Sequence, residues 1–275
     1  MHKLPCSPGT ASASLFPSSI LNAFRWDITI ALLSRRQPCI PTAFLDRITE
    51  FHDRQSWDFF TLYGCPIEFV RTMAHLAKLA SIYEKTKTME WTFFDTLPVD
   101  IIIEEVSKYK NPEALHPSDL EDDQNDLNAQ QHRYLCIEAW RHAILLYALR
   151  VFNATQDASG LRKIDYHARM ILDAVRCIPE SDFTQKQVLL PVFLAGAEAG
   201  AERDRIIARS YCTYWDTKSR FGHFDSAEHI LEDIWSGWSE DTRSWYWWGS
   251  KIAPNNASQS ADPDAGPLTS EILLG

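Results

Sequence analysis

From Leu127 to Phe152 the residues Leu135, Ile137, Trp140, Ile144, Tyr147, Ala148 and Val151 return at the spacing of one side of an α-helix. The opposite face carries Arg133, Glu138, Arg141 and Arg150. The segments on both sides are apolar too, so this is predicted to be a central helix that its neighbours surround. Such an element commits the chain to helix-on-helix packing. The same period begins at Pro66, with Ile67, Val70, Met73, Ala74, Ala77, Ala80, Ile82 and Tyr83 on one face. Pro66 belongs near the first turn, where a missing N–H costs nothing. Further helices are predicted at 20–34, 42–53, 98–109, 161–177, 186–209, 211–220 and 224–238. Ile101–Ile103 is β-branched, but Glu104, Glu105 and Lys108 continue it at helical spacing. Gly196 and Gly200 are expected on one helix face, where they allow a close crossing. No fixed-period repeat predicts a solenoid, and the Trp-Asp pairs at Trp26, Trp57 and Trp215 lack the strands of a propeller.

The expected fold is all-α: an orthogonal, irregular multi-helix bundle forming a single domain over residues 20–252. The polar, Pro/Ser-rich ends, 1–19 and 253–275, are expected to be disordered. Segment 111–130 holds six acids, two prolines and neither Lys nor Arg, and is predicted to be a solvated loop inside the domain.

Composition narrows the function classes. A net charge of -10 argues against a dedicated nucleic-acid surface, which needs a basic patch. Ten glycines disfavour Gly-rich phosphate loops. Cys6, Cys39, Cys65, Cys136, Cys177 and Cys212 are separated by 33, 26, 71, 41 and 35 residues. Structural zinc needs ligand pairs a few residues apart, so no local zinc site is expected. Residues 1–19 lack the apolar run of a secretory leader, and buried, reduced thiols are expected. On that reading the sequons at Asn153 and Asn256 go unused. No apolar run reaches the ~20 residues that span a membrane.

The motifs G-x-x-x-x-G-K-[ST], G-x-G-x-x-G, H-E-x-x-H and G-x-S-x-G are all missing. His223 and His229 stand near Asp225 and Glu228, and Asp225 is expected to cap a helix there rather than hold a metal. Asp122-Asp123-Gln124-Asn125-Asp126 resembles the D-D-x-x-D motif of class I terpene synthases, whose carboxylates hold Mg2+ and through it a diphosphate. Downstream, Asp233, Ser236 and Glu240 share a helix face in a run that resembles the second metal motif of those enzymes. Against this, the first run lies in a polar stretch and the second opens on Glu232 and contains Gly237. No recognisable set of Arg and Lys stands ready for a diphosphate. The synthase is kept as the alternative reading.

Five segments in order resemble the fungal-specific transcription factor domain, the region C-terminal to the zinc binuclear cluster of many fungal regulators. They are Trp26–Leu32 with Ser34–Pro38, Tyr63–Pro66 running into Val70–Ala80, Glu138–Tyr147, Leu190–Glu198, and Ala227–Trp235 followed by Trp247-Trp248. The last segment covers the second metal-like run and accounts for Asp233 and Trp235 without a metal. The resemblance implies an all-α, non-catalytic regulatory domain of a nuclear transcription factor, with no catalytic, cofactor-binding or metal-binding residues. It implies protein partners, as homo- or heterodimers with related regulators, and a small-molecule effector. A helical pocket for an effector would be lined by aromatics such as Trp140, Tyr147, Phe193 and Trp235. The family's zinc cluster, C-x2-C-x6-C and a second half, has no counterpart here, so direct DNA binding by this chain is not expected. A fragment, a truncated product or a paralogue without its DNA reader fits that pattern. A free-standing helical scaffold that binds another protein is a further alternative. Within the motifs, Arg141 is predicted to pair with Glu138, and Pro191 to sit in a first helical turn.

Overall fold

The computed structural model describes residues 16–45, 60, 63–114, 124–152, 158–237 and 249. Its elements among these are helices: α1 (Phe16–Ser34), α2 (Ile67–Lys87), α3 (Leu97–Ser107), α4 (Gln124–Phe152), α5 (Ala158–Cys177), α6 (Phe183–Lys186), α7 (Leu189–Ala197), α8 (Glu202–Lys218) and α9 (His223–Ser236). The expected all-α class is what is found.

Two helices organise the core. α4 packs on α2, α3, α5, α6 and α7, and its longest seam is with α5. α7 is buried along its whole length and packs on α4, α5, α8 and α9. A helix hydrophobic all round is stable only when wrapped. Its Leu189, Leu190, Val192, Phe193 and Leu194 together contribute roughly 10 kcal/mol of gross burial. α1 lies mainly against α2, and α8 and α9 pair with each other.

Local chemistry sets the boundaries. α1 ends where Arg35 takes φ 51 and the Arg36 N–H donates to the Ala31 carbonyl at 2.9 Å. The Asp27 carboxylate then receives the Cys39 and Ile40 N–H groups at 3.0 and 2.8 Å, folding the next loop back onto α1. Pro66 is the extended N-cap of α2, and Pro98 lies in the first turn of α3. Asp182 caps α6 by accepting the Thr184 N–H at 2.8 Å.

Several expectations need correction. The helix predicted over 186–209 is three elements. The chain breaks after Lys186 and again over 198–201, and α8 then runs unbroken through 210. The second break has a partner distant in sequence. Glu198, the C-cap of α7, is drawn to Arg150, whose Nε lies 2.9 Å from its Oε1. Arg150 is therefore buried instead of standing on a polar face. Gly196 does make the close crossing: a Cβ there would lie 3.1 Å from Ala208 Cβ and from both Leu231 methyls. Gly200 lies past the end of α7 and shares no helix face with it. α1 begins at Phe16 and α4 at Gln124, inside segments 1–19 and 111–130. Residues 1–15, 46–59, 115–123 and 251–275 lie outside the described residues, and with them Cys6, Asp122, Asp123, the C-terminal tail and most of the helix predicted at 42–53. Cys65, Cys136 and Cys212 are buried as expected, whereas Cys39 and Cys177 are exposed.

Candidate functional site

The predicted aromatic residues are all buried, but they do not line one chamber. Trp140 and Tyr147 face an apolar cavity of about 10 Å3 with Leu32, Met73, Leu76 and Leu194. Phe193 borders a second cavity, of about 20 Å3, between α1, α7 and α9. Trp235 lines neither; its indole N–H donates to the Gly196 carbonyl at 2.9 Å. The Tyr147 hydroxyl donates to the Leu32 carbonyl at 2.7 Å, tying α4 to α1. Each cavity holds about one water, far below the several hundred Å3 of a drug-sized pocket.

The second cavity has the richer chemistry. Its walls are Arg25, Trp26, Thr29, Leu189, Leu190, Phe193 and Ala227. A rigid frame presents the residues beside it. Buried Gln185 donates to the Ile178 carbonyl at 2.9 Å and accepts the Trp215 indole N–H at 2.7 Å. The Tyr211 hydroxyl reaches the carbonyls of Gln185 and Lys186 at 3.1 and 3.2 Å. This network joins α5, α6 and α8 and fixes the two residues that follow Gln185. Gln187 accepts both Arg25 hydrogen bonds, one on its side-chain oxygen at 2.6 Å and one on its carbonyl at 3.1 Å. On its other side Gln187 presses on Gly64, whose φ of +79 suits glycine and whose Cβ, if present, would lie 2.3 Å from Gln187 Cβ. Gly64 is held in turn by the Cys136 thiol, which donates to its carbonyl at 3.0 Å.

Among the described residues Arg25 is thus a half-buried cation whose hydrogen bonds go to the neutral oxygens of Gln187, and it is faced by the Tyr63 ring at 5.9 Å. Lys186 lies over Trp215 at 5.9 Å and likewise pairs with no described carboxylate. His223, on the same face of α9 as Ala227, packs edge-on against Trp26 at 5.6 Å and against Phe224 at 4.4 Å. Its Nδ1 is buried without a hydrogen-bond partner. Burial, then the charges of Lys186 and Arg25, push its pKa down to about 4; Asp216 pulls the other way. One faint signal of this cluster is local: Arg25 interrupts the apolar stripe Leu21, Ile28 and Leu32 of α1.

A second histidine cluster lies on the α4–α5 seam. His142 and His167 approach Nδ1 to Nδ1 at 2.8 Å. Arg141 lies 3.5 Å from His142 Nε2 and can only donate, so His142 carries its proton on Nδ1 and gives it to His167. Burial pushes the pKa of both imidazoles down to about 4, and the nearby Arg141 adds to it. Arg141 also pairs with Glu138 at 2.8 Å, as predicted, and Pro191 lies in the first turn of α7.

The metal-binding alternative gains no support. Asp126 stands exposed in the first turn of α4, and Asp233 is exposed on α9. Glu232 is held by Arg209 at 2.6 Å, and Glu240 lies outside the described residues. No group of three metal-ligating side chains occurs among the described residues. The cap of α9 is Gly222, not Asp225, which lies one turn further on and 3.5 Å from His229. None of the described helices is long and apolar enough to cross a membrane.

Among known proteins, no curated sequence and no solved structure matches the chain. A family model does, that of the fungal specific transcription factor domain, over residues 7–250. The match takes in every helix from α1 to α9 and both cavities. The chain belongs to the fungal specific transcription factor domain family.

Proposed function

We propose that this chain is a non-catalytic regulatory and interaction domain that acts on transcription in the nucleus without itself contacting DNA. The family match over residues 7–250 carries the reading. The net charge of -10 supports it, because phosphate contacts draw on Lys and Arg. Glu138 and Glu232, which lie within the family-like segments, pair with Arg141 and Arg209. A role in protein contacts is favoured by the turn between α2 and α3. There Trp91 and Phe93 are 91 % and 94 % exposed, beside exposed Met89 and Leu97.

The test tethers the chain to a heterologous DNA-binding module upstream of a reporter in a fungal cell. A change in reporter output, lost on Trp91→Ala with Phe93→Ala, is expected. A reporter indifferent to the tethered chain overturns the regulatory reading. Sequence-specific binding of duplex DNA by the purified chain overturns the claim that it does not contact DNA.

A further inference from the structure

We propose that the outer side of α3 and the turn before it form a docking surface for a basic amphipathic helix of another protein. Two independent observations meet there. The first is that α3 is apolar on two sides. Val99, Ile102 and Val106 face the core, yet Leu97 and Ile101, one turn apart on the opposite side, are 60 % and 46 % exposed. A surface helix needs one apolar stripe, and a second is a face that awaits cover. The second observation is the turn from Thr88 to Thr96. Phe94 anchors it, stacked on Phe152 at 5.5 Å and edge-on to Tyr83 at 5.1 Å. The Asp95 carboxylate accepts the Leu97 N–H at 3.0 Å and joins the turn to α3. On that fixed base Trp91 and Phe93 stand almost wholly in solvent, beside exposed Met89. Aromatics held in place before binding are good interface anchors, because burying them costs little further ordering.

The stripe selects the shape of the partner and the charges select its chemistry. A helix laid along Leu97 and Ile101 packs its own apolar side chains between theirs, as helices do on one another. Residues 88–107 carry Glu90, Asp95, Asp100, Glu104 and Glu105 and no Lys, Arg or His, and all five acids are exposed. Asp100 and Glu105 lie on the two sides of the Leu97–Ile101 stripe. Glu104 is paired with Lys108. A helix with Lys or Arg on both flanks of its apolar stripe sets its charges against these acids, as the flanking positions of a coiled coil do. The same rim repels an anionic membrane, and it sets acid against acid where two copies meet through this face. The proposal names the partner for Trp91 and Phe93, and its role in the cell rests on the regulatory reading above.

Fluorescence anisotropy of a labelled, amphipathic Leu–Lys peptide of about four helical turns, titrated with the full chain, tests it. Saturable one-to-one binding is expected, and none of a Leu–Glu peptide of the same pattern. Trp91→Ala with Phe93→Ala is expected to weaken binding at least about tenfold. Asp100→Asn with Glu105→Gln is expected to weaken it several-fold and to flatten its dependence on salt. All four side chains are exposed, so these variants keep the fold. Met170→Ala with Ile206→Ala removes exposed apolar side chains of α5 and α8 and is expected to change nothing. Wild-type affinity in either variant of the patch, an equal loss in Met170→Ala with Ile206→Ala, equal binding of the Leu–Glu peptide, or binding that does not saturate overturns the proposal. So does a mass in solution that rises with concentration and falls back in Trp91→Ala with Phe93→Ala, which gives the surface to a second copy. The titration contains no promoter, so its failure leaves the regulatory reading standing, and a silent reporter leaves the titration standing.

Discussion

Arg150 and Arg25 both project from helices into crowded surroundings, one at the α4–α7 joint and the other at the α1–α6 joint. Arg150 meets the Glu198 carboxylate at 2.9 Å, with side chains only 6 % and 0 % exposed. Arg25 meets a carboxamide and a carbonyl. The first is a buried ion pair through Glu198 Oε1 that fixes the end of α7, while Glu198 Oε2 is buried without a hydrogen-bond partner. The second leaves a charge to spare beside a void and an orphaned imidazole. One cation is held by a buried charge and the other by neutral oxygens.

The largest effect expected follows from that difference. Arg150→Ala strands the Glu198 carboxylate in the core and is expected to cost about 3–5 kcal/mol, read by urea unfolding. Arg25→Gln gives up charge-assisted bonds to neutral oxygens but strands no buried charge, and is expected to cost about 1–2 kcal/mol. Equal losses would break the comparison.

The next effect sharpens the geometry around Gln187. Gly64→Ala must place a Cβ on Gln187 at a φ of +79, and is expected to cost about 2 kcal/mol. Gly222→Ala meets nothing within 4 Å and is expected to stay within about 0.5 kcal/mol of the parent. A tolerant Gly64 would show that Gln187 is not wedged.

The smallest effect concerns pH and sets the α4–α5 seam against the α1–α9 junction. His142 and His167 have folded pKa values of about 4, below the unfolded value of about 6.5. The unfolded chain therefore binds more protons between those values. The stabilisation is complete above about pH 6.5 and falls as pH drops towards 4. Unfolding at pH 7 and pH 6 is expected to differ by roughly 1–2 kcal/mol. The double variant His142→Gln with His167→Gln is expected to flatten that slope, leaving the part due to His223. An unchanged slope would place the titration elsewhere.

The parts of the fold that the sequence shows are those governed by local period. α4 was readable because Trp140, Ile144, Tyr147 and Val151 repeat without interruption, α2 because Pro66 precedes its apolar face, and α3 because Glu104, Glu105 and Lys108 continue Ile101–Ile103 at helical spacing. The break at Glu198 was not readable, since its cause, Arg150, belongs to another helix and read as a surface residue. The family was legible in ordered segments that turn out to be packing motifs: Trp235 holds Gly196, and Tyr147 holds Leu32. The Arg25–Gln187 contact was nearly invisible, because the two residues are 162 positions apart and only tertiary structure brings them together. The predicted aromatics were right as core residues, but as a single chamber they were not.

Thermal unfolding of wild type, Arg25→Gln and Arg150→Gln tests the contrast most directly. The account predicts that Arg150→Gln, which strands the buried Glu198 carboxylate, melts far below wild type, and that Arg25→Gln, which removes bonds to neutral oxygens only, melts between the two. An Arg25→Gln as unstable as Arg150→Gln would contradict it.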